Sequence, residues 1–480
     1  MHFAVLDWVI FVSVPLVAWF IGNAKRQAGT WRGYFLATGN LQTKTVVATY
    51  FGANLAFTAI FLILSEEGYD RGAWAFSVPI FWFIGTLVFL WLYPKMREYI
   101  REGLTLHQAI GSGFSSPSLQ RWASLWTILA FVGTCALEFY GGIKLLEWAG
   151  LPLMANISIA LLLALIVTAF TVTGGFRGVA WSDIFLDLTA LTATVILFLY
   201  FLSAKSASAL HFPTPHLPIH TFTDNIIFAI GMALIFIPFQ FCTLDSWQRL
   251  GAWERRGKNP SSWLLTGSLL LSVCYCVPIL IGIYVRNIQI AVPIGSHPLK
   301  VFMDYIHLTP GLMGLVFAGF IAAVFSTVDE LLNCSSLSLL FDTLQNKRVD
   351  PQRTQKQEGA LVKSGKLYTA GFGFIAALIS LLALSYERQI SDLALAVFSG
   401  QVVFTLPLFV IFFYRSSAPH WAQTAKFSML LAFFVSLLTV IIGWATGDQS
   451  TTDAAPLVGF LFALITFIIG SLFIKREAEH

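Results

Sequence analysis

The sequence is poor in charged residues. Only 11% of its 480 residues are Asp, Glu, Lys or Arg, whereas 57% are hydrophobic and the mean hydropathy is +0.75. About a quarter of the residues in an ordinary soluble domain are charged, so this composition excludes a soluble globular protein. It predicts an all-α integral membrane protein, because a helix satisfies its own backbone polar groups inside the bilayer.

Cysteines and catalytic motifs are also scarce. The chain has no HExxH, no glycine-rich phosphate loop and no GxSxG, so we expect no enzyme, with a membrane-embedded enzyme kept as an alternative. Its cysteines all lie in apolar segments and predict no disulfide framework: Cys135, Cys242, Cys274, Cys276 and Cys334. The first apolar run lacks a basic region and a cleavage site, so we expect it to remain as a span.

Apolar runs long enough to cross a bilayer recur about thirteen times. They lie at 4–22, 45–64, 73–93, 119–145, 151–173, 178–203, 224–242, 262–286, 308–341, 365–386, 390–414, 423–447 and 455–474. With alternating sides, 23 of the 29 Lys and Arg residues fall on one side of the membrane. The basic side is normally cytoplasmic, which predicts an external N-terminus and a cytoplasmic C-terminus.

The ninth span carries small and hydroxylic residues in place of leucine. Ala323, Ser326 and Thr327 stand at i, i+3 and i+4, so one carbonyl and two hydroxyls share a helix face. Asp329 adds a carboxylate at membrane depth, where charge is costly. Two interpretations stay open: oxygens gathered for a hard cation, or small and hydroxyl residues that pack helices together.

Two spans carry helix-interrupting residues. The second has Gly52 and Asn54 in mid-segment, and the seventh has Gly231 and Pro238. Interrupted segments at corresponding places in two halves indicate a transporter binding site, although Gly and Pro are also common in ordinary membrane helices. Without the first span, these two are helices one and six of a ten-helix core. That predicts an extra N-terminal helix at 4–22, inverted repeats at 45–203 and 224–414, and two C-terminal helices at 423–474.

Five motifs in order along the chain carry a family resemblance. They are YFLATGNL at 34–41, GYDRG at 68–72, TVTGGFRGVAWSDIFLD at 171–187, WQR at 247–249 and AAVFSTVDELLN at 322–333. With these motifs the chain resembles the sodium/solute symporter family, whose members carry sugars, proline, pantothenate and other small organic solutes on the LeuT-type fold.

The resemblance implies a sodium site and an inward ion path. Its ligands would be three carbonyls and two hydroxyls: those of Ala53, Ala56, Ala323, Ser326 and Thr327. Asp183 matches an aspartate of the family near the inward path. A carboxylate at the start of a helix is also favoured by the helix dipole, so both interpretations of Asp183 stay open.

The solute site departs from that of sugar-carrying relatives. Leu55, Ala59 and Ile60 replace polar residues, and Thr243 replaces an asparagine. A sugar is therefore disfavoured, because its buried hydroxyls would lack partners. Glu138 lies well inside an apolar run and is open to three roles: pairing with a cationic solute, relaying a proton or bonding a neighbouring helix. The candidate cavity residues are Phe57, Thr58, Glu138, Gln240, Thr243 and Asp245.

Together these features predict a sodium-coupled symporter of a small organic solute in the bacterial inner membrane. The expected partners are that solute, the sodium ion and membrane lipid, with no nucleic acid and no cofactor other than Na⁺. A symporter-like membrane sensor stays as an alternative, and the sequence leaves the solute and the oligomeric state open.

Overall fold

A computed structural model describes residues 3–26, 29–37, 41–101, 105–207, 220–254, 260–288, 292, 296–345, 355–384, 403–414 and 418–478. Every regular element in these ranges is helical. In chain order the α-helices are α1 Val5–Ala24, α2 Trp31–Leu36, α3 Thr43–Asn54, α4 Ile63–Arg71, α5 Ser77–Arg101, α6 Leu106–Gly113, α7 Pro117–Trp148, α8 Leu153–Ala207, α9 Phe222–Cys242, α10 Leu244–Glu254, α11 Ser261–Asn287, α12 Pro298–Ile306, α13 Leu312–Ser338, α14 Gln355–Ala383, α15 Thr405–Phe413, α16 Ala422–Thr446, α17 Gln449–Asp453 and α18 Ala455–Ala478.

Shorter helical turns extend two of these helices. A π-helix at Phe57–Leu62 leads directly into α4, and another at Leu339–Gln345 continues α13. The apolar helices match the predicted spans, except that 385–386 of the tenth span and 390–402 of the eleventh lie outside the described residues.

The fifth and sixth predicted spans meet at Gly175 within α8. This glycine has φ 59° and ψ −177°, a conformation that strains any residue with a side chain. A Cβ there would lie 2.9 Å from the carbonyl oxygen of Tyr34, at the end of α2. The glycine therefore lets α8 kink where α2 packs against it.

Helix α13 lies at the centre of the bundle. It packs against α1, α3, α7, α8 and α14, and every residue from Val316 to Ser338 is buried. Small residues make this possible because they let helix backbones approach closely. A Cβ at Gly319, for example, would lie 2.9 Å from the carbonyl oxygen of Thr189 on α8.

The first helix of the ten-helix core is broken, as predicted. Helix α3 ends at Asn54; Leu55 and Ala56 then leave the helical conformation, with ψ 49° and ψ 136°. The chain becomes helical again at Phe57. We call α3, the π-helix at Phe57–Leu62 and α4 together the first broken helix.

The second break does not lie where the glycine and proline predicted it. Helix α9 runs through Gly231 and Pro238, and the chain leaves the helical conformation at Thr243, with φ −103° and ψ 139°. Gly231 serves close packing instead, since a Cβ there would lie 3.0 Å from the carbonyl oxygen of Asp453. The break is stabilised from the next helix, where Trp247 Nε1 donates a hydrogen bond of 2.9 Å to the Phe241 carbonyl.

Candidate functional site

Glu138 of α7 holds the second half of the first broken helix. Its carboxylate accepts hydrogen bonds of 3.0 Å from the backbone N–H groups of Phe57 and Thr58. In an unbroken helix these two groups would bond to the carbonyls of Ala53 and Asn54. By taking both donors, Glu138 caps the positive end of the new helical segment and releases those carbonyls.

The released carbonyls have different surroundings. That of Asn54 accepts a hydrogen bond of 2.7 Å from the hydroxyl of Tyr275 on α11. The Ala53 carbonyl has lost its helical donor because Phe57 N–H points to Glu138. The Ala56 carbonyl, by contrast, accepts the Ile60 N–H at 3.0 Å and belongs to the second half of the helix.

The two hydroxyls on α13 converge on the first broken helix. Ser326 Oγ and Thr327 Oγ1 lie 3.2 and 3.3 Å from the carbonyl oxygen of Gly52, and Ser326 Oγ lies 3.3 Å from the Ala323 carbonyl oxygen. Hydroxyl hydrogen bonds are usually about 2.7–2.8 Å long, so these oxygens face one another at long range. Several weakly satisfied oxygens of this kind are what a hard cation needs.

A carboxylate that the sequence analysis did not assign faces the same point. A Cβ at Gly52 would overlap Asp187 Oδ1 and lie 3.0 Å from Ser326 Cβ. Asp187 is 7% exposed, and neither of its carboxylate oxygens has a hydrogen-bond partner among the described residues. Its spacing from Asp183 was the available signal, because residues at i and i+4 share a helix face.

More buried acids lie around this carboxylate. Asp183 on α8 and Asp329 on α13 are fully buried, and their oxygens also lack hydrogen-bond partners in the described part of the chain. Arg249 of α10 instead pairs with Asp245 at 2.9 Å and with Glu330 at 2.7 Å. Asp183, Asp187 and Asp329 therefore form a buried cluster of acids with no hydrogen-bonded base among the described residues, and the charge of Arg249 acts on Asp183 and Asp187 without direct contact.

A cavity with about 1010 Å³ of empty space, which includes open solvent, adjoins the hydroxyl pair. It reaches from Ala53, Thr327 and Asp245 near the two breaks to Glu67 in the middle of α4 and Phe228 in the first half of α9. Most of its wall is apolar or aromatic, including Trp82, Phe131, Phe236, Phe239 and Tyr275.

Of the six residues predicted for the cavity, Asp245 lines it and the other five do not, because their side chains are engaged in contacts with other helices. Glu138 is 1% exposed behind the break, the Thr58 hydroxyl donates to the Leu137 carbonyl, and the Phe57 ring packs 4.8 Å from that of Phe320. Gln240 accepts the Tyr50 hydroxyl at 2.8 Å, and Thr243 contacts Ser246 Oγ at 3.1 Å.

Buried polar contacts join α13 to two other helices on the cytoplasmic half predicted from the sequence. Gln248 of α10 donates both to the Phe35 carbonyl and, at 2.9 Å, to Asn333 Oδ1 on α13, while Cys334 Sγ lies 2.8 Å from Gln248 Oε1. These bonds connect α2, α10 and α13.

Comparison with known proteins identifies the family of the chain. A model of the sodium:solute symporter family matches residues 34–431. The chain belongs to this family. Its coupling ion is accordingly sodium, and it is an integral membrane symporter of a small organic solute.

Individual relatives of the symporter are distant but cover most of its length. The sodium/pantothenate symporter of Escherichia coli (strain K12) is 24% identical over 96% of both chains. The sodium/glucose cotransporter 1 of Oryctolagus cuniculus is 20% identical over 98% of this chain and 78% of its own. A solved Na⁺-coupled sialic acid symporter in a substrate-bound outward-open state matches 98% of both chains with a TM-score of 0.70 and 16% identity, which confirms the LeuT-type fold.

Proposed function

We propose that sodium binds where the break of the first broken helix faces α13, and that the adjoining cavity takes the solute. The observation that carries this proposal is the convergence of two α13 hydroxyls on the Gly52 carbonyl, beside a break that Glu138 maintains. The proposed ligands are the carbonyls of Ala53, Ala56 and Ala323, the hydroxyls of Ser326 and Thr327, and the carboxylate of Asp187.

Sodium and solute would assist each other through the first broken helix. Sodium ties its first half to α13, and Ala53 and Asn54 of that half also line the solute cavity. Each ligand then favours the same conformation, and the coupling between them is reciprocal. After the Gln248 contacts open, sodium would leave past Asp183, which lies one helical turn from Asp187 on α8.

The membrane placement follows from the sequence. We propose an inner-membrane protein with an external N-terminus and a cytoplasmic C-terminus, inverted repeats at 45–203 and 224–414, and lipid around its exposed apolar side chains. In this orientation the cavity faces outward. The protein would carry its solute across without chemical change.

The cavity wall argues against a sugar. Its polar members are few, and the Tyr275 hydroxyl among them is already bonded to Asn54. A sugar would bury several hydroxyls against aromatic rings, where each group without a hydrogen bond costs about 1–3 kcal/mol. We therefore propose an organic solute with an apolar body.

The sodium site is tested without knowing the solute. Purified protein should be more heat-stable in sodium than in potassium, because only the ion that fits adds binding free energy to the folded state. Ser326→Ala and Thr327→Ala should each raise the sodium concentration for half-maximal stabilisation by about tenfold, as expected for losing a cation-bound hydroxyl worth about 1.5 kcal/mol.

Thr192→Ala is the matched control, because this partly exposed hydroxyl donates to the Leu188 carbonyl of its own helix at 2.7 Å and has no other bond among the described residues. It should leave the sodium response unchanged. If both α13 variants keep the wild-type sodium response, the proposed site is wrong.

A further inference from the structure

We propose that the solute is an organic cation with an apolar body, a property that rests on the proposed function and narrows it. Three features of the described residues carry this inference. The helix end that would suit an anion is occupied, the cavity wall carries acids without bases, and its rings surround one tryptophan.

The helical N-terminus in this site is closed to an anionic solute. Free backbone N–H groups at the start of a helix attract carboxylates and phosphates. Here the N–H groups of Phe57 and Thr58 both donate to the protein's own Glu138 at 3.0 Å. An acidic solute would have to displace a buried carboxylate to use them.

The charges that reach the cavity are acidic. Among the described lining residues, Glu67 and Asp245 are acids and none is a base. The neighbouring guanidinium groups are buried outside that wall: Arg71 is 2% exposed and bonds Glu67 and Asp453, and Arg249 is fully buried between Asp245 and Glu330. A solute therefore meets the carboxylates and not the arginines that compensate them.

The rings of the cavity wall gather around Trp82. Its ring centroid lies 5.6 Å from that of Phe239, 5.7 Å from that of Tyr275 and 6.1 Å from that of Phe236, and all four side chains line the cavity. Faces of aromatic rings attract cations through their quadrupole, most strongly where water is excluded. They also accept an apolar body, so one wall serves both parts of the proposed solute.

Buried acids also lie beside the proposed sodium site. None of the carboxylate oxygens of Asp183, Asp187 and Asp329 has a hydrogen-bond partner among the described residues. Buried carboxylates are stabilised by a nearby positive charge and destabilised by a nearby negative one. This cluster therefore favours a cationic solute over an anionic one.

A matched panel of compounds tests the charge preference. We would measure thermal stabilisation and binding, with sodium present, by phenethylamine, its neutral counterpart phenethyl alcohol and its acidic counterpart phenylpropionate, with benzyltrimethylammonium as a second cation and pantothenate as a second acid. We expect a cation of the panel to bind about tenfold tighter than its neutral counterpart, and the acids not to bind. The proposal is overturned if no cation binds, if an acid binds most tightly, or if the neutral compound equals the cation.

Variants connect the preference to the wall. Trp82→Leu should reduce cation binding by about tenfold while changing binding of the neutral compound much less, because the ring face contributes mainly to the charged ligand. Trp91→Leu is the control, since Trp91 lies on the same helix but is 62% exposed. Glu67→Gln should weaken binding of the cation and strengthen binding of phenylpropionate, because it removes a negative charge that neutralises Arg71 beside the cavity. Equal losses for cation and neutral compound in Trp82→Leu would overturn the role of the rings.

The two proposals fail separately. Sodium stabilisation without solute depends on the α13 hydroxyls, whereas the choice between cation and acid depends on the cavity wall. If the protein is stabilised by sodium but binds an acid most tightly, the proposed sodium site stands and the proposal of an organic cation is wrong.

Discussion

Gly52 is the residue at which the parts of the proposed sodium site meet. Its carbonyl faces both α13 hydroxyls, and its missing side chain leaves room for Asp187. We predict that Gly52→Ala abolishes sodium-dependent stabilisation, because the new Cβ would overlap Asp187 Oδ1 and crowd Ser326. Gly371→Ala on α14 is the control, since a Cβ there meets nothing within 4 Å. A normal sodium response in Gly52→Ala would show that the ion binds elsewhere.

Asp187 is predicted to supply negative charge to this site. Asp187→Asn keeps the size of the side chain and removes its charge, so we expect the sodium concentration for half-maximal stabilisation to rise roughly tenfold or more. Two unit charges about 4 Å apart attract by about 4 kcal/mol at an effective dielectric of 20, before desolvation. Sodium titration of thermal stability measures the change.

The control for this substitution is Asp304→Asn, because Asp304 is 40% exposed and pairs with Lys300 on the surface, where an ion pair contributes little. If sodium affinity is unchanged in Asp187→Asn but weakened in Ser326→Ala, the hydroxyls bind sodium and Asp187 does not.

At the residue scale the sequence indicated that the two hydroxyls share a helix face, but it did not indicate that Asp187 lies beside them. Ser326 and Thr327 stand on one helix with Ala323, so their spacing predicts the shared face. The position of Asp187 depends on how α8 packs against α3 and α13, through close contacts such as Gly319 of α13 against Thr189 of α8. Such contacts are tertiary packing, which no local pattern contains.

The first broken helix depends on one carboxylate from another helix. Glu138 accepts the two N–H groups released at the break, so Glu138→Ala leaves two buried donors without partners. Each costs about 1–3 kcal/mol, and we predict a lower melting temperature in both sodium and potassium. We also expect the freed helix end to bind phenylpropionate, for which we expect no binding to the wild-type protein.

Glu147→Gln on the same helix α7 is the control, because Glu147 is half exposed and pairs with Lys144 at the surface. Calorimetry and the binding panel measure the two effects separately. If Glu138→Ala retains the wild-type melting temperature, the cap does not maintain the break.

The two breaks show why elements were only partly predictable. Gly52 and Asn54 correctly marked the first, because the chain leaves the helix directly after Asn54. The prediction of the second break from Gly231 and Pro238 was wrong, because that break lies at Thr243. Residue type signals that a helix is weak, but the place where it opens depends on groups that take over its hydrogen bonds. Glu138 and Trp247 do so here, and neither lies at its break.

At the scale of the whole molecule, buried ion pairs connect the C-terminal helices to the outer half of the first broken helix. Arg71 of α4 bonds Glu67 at 2.6 Å and Asp453 of α17, and its guanidinium lies 4.3 Å from the ring centroid of Phe228 on α9. Breaking a buried ion pair by removing one partner costs about 3–5 kcal/mol. This contact therefore holds α4, α9 and α17 together at the far end of the cavity.

We predict that Asp453→Asn lowers the melting temperature in sodium and in potassium alike, because it removes the charge that faces Arg71 without touching the α13 hydroxyls. The sodium concentration for half-maximal stabilisation should stay within about twofold of the wild-type value, since mutations at separate sites act independently. Asp448→Asn, at an exposed helix cap beside α17, is the control and should lose far less stability. A large loss of sodium affinity in Asp453→Asn would mean that the C-terminal helices, although outside the ten-helix core, help to set the conformation that binds the ion.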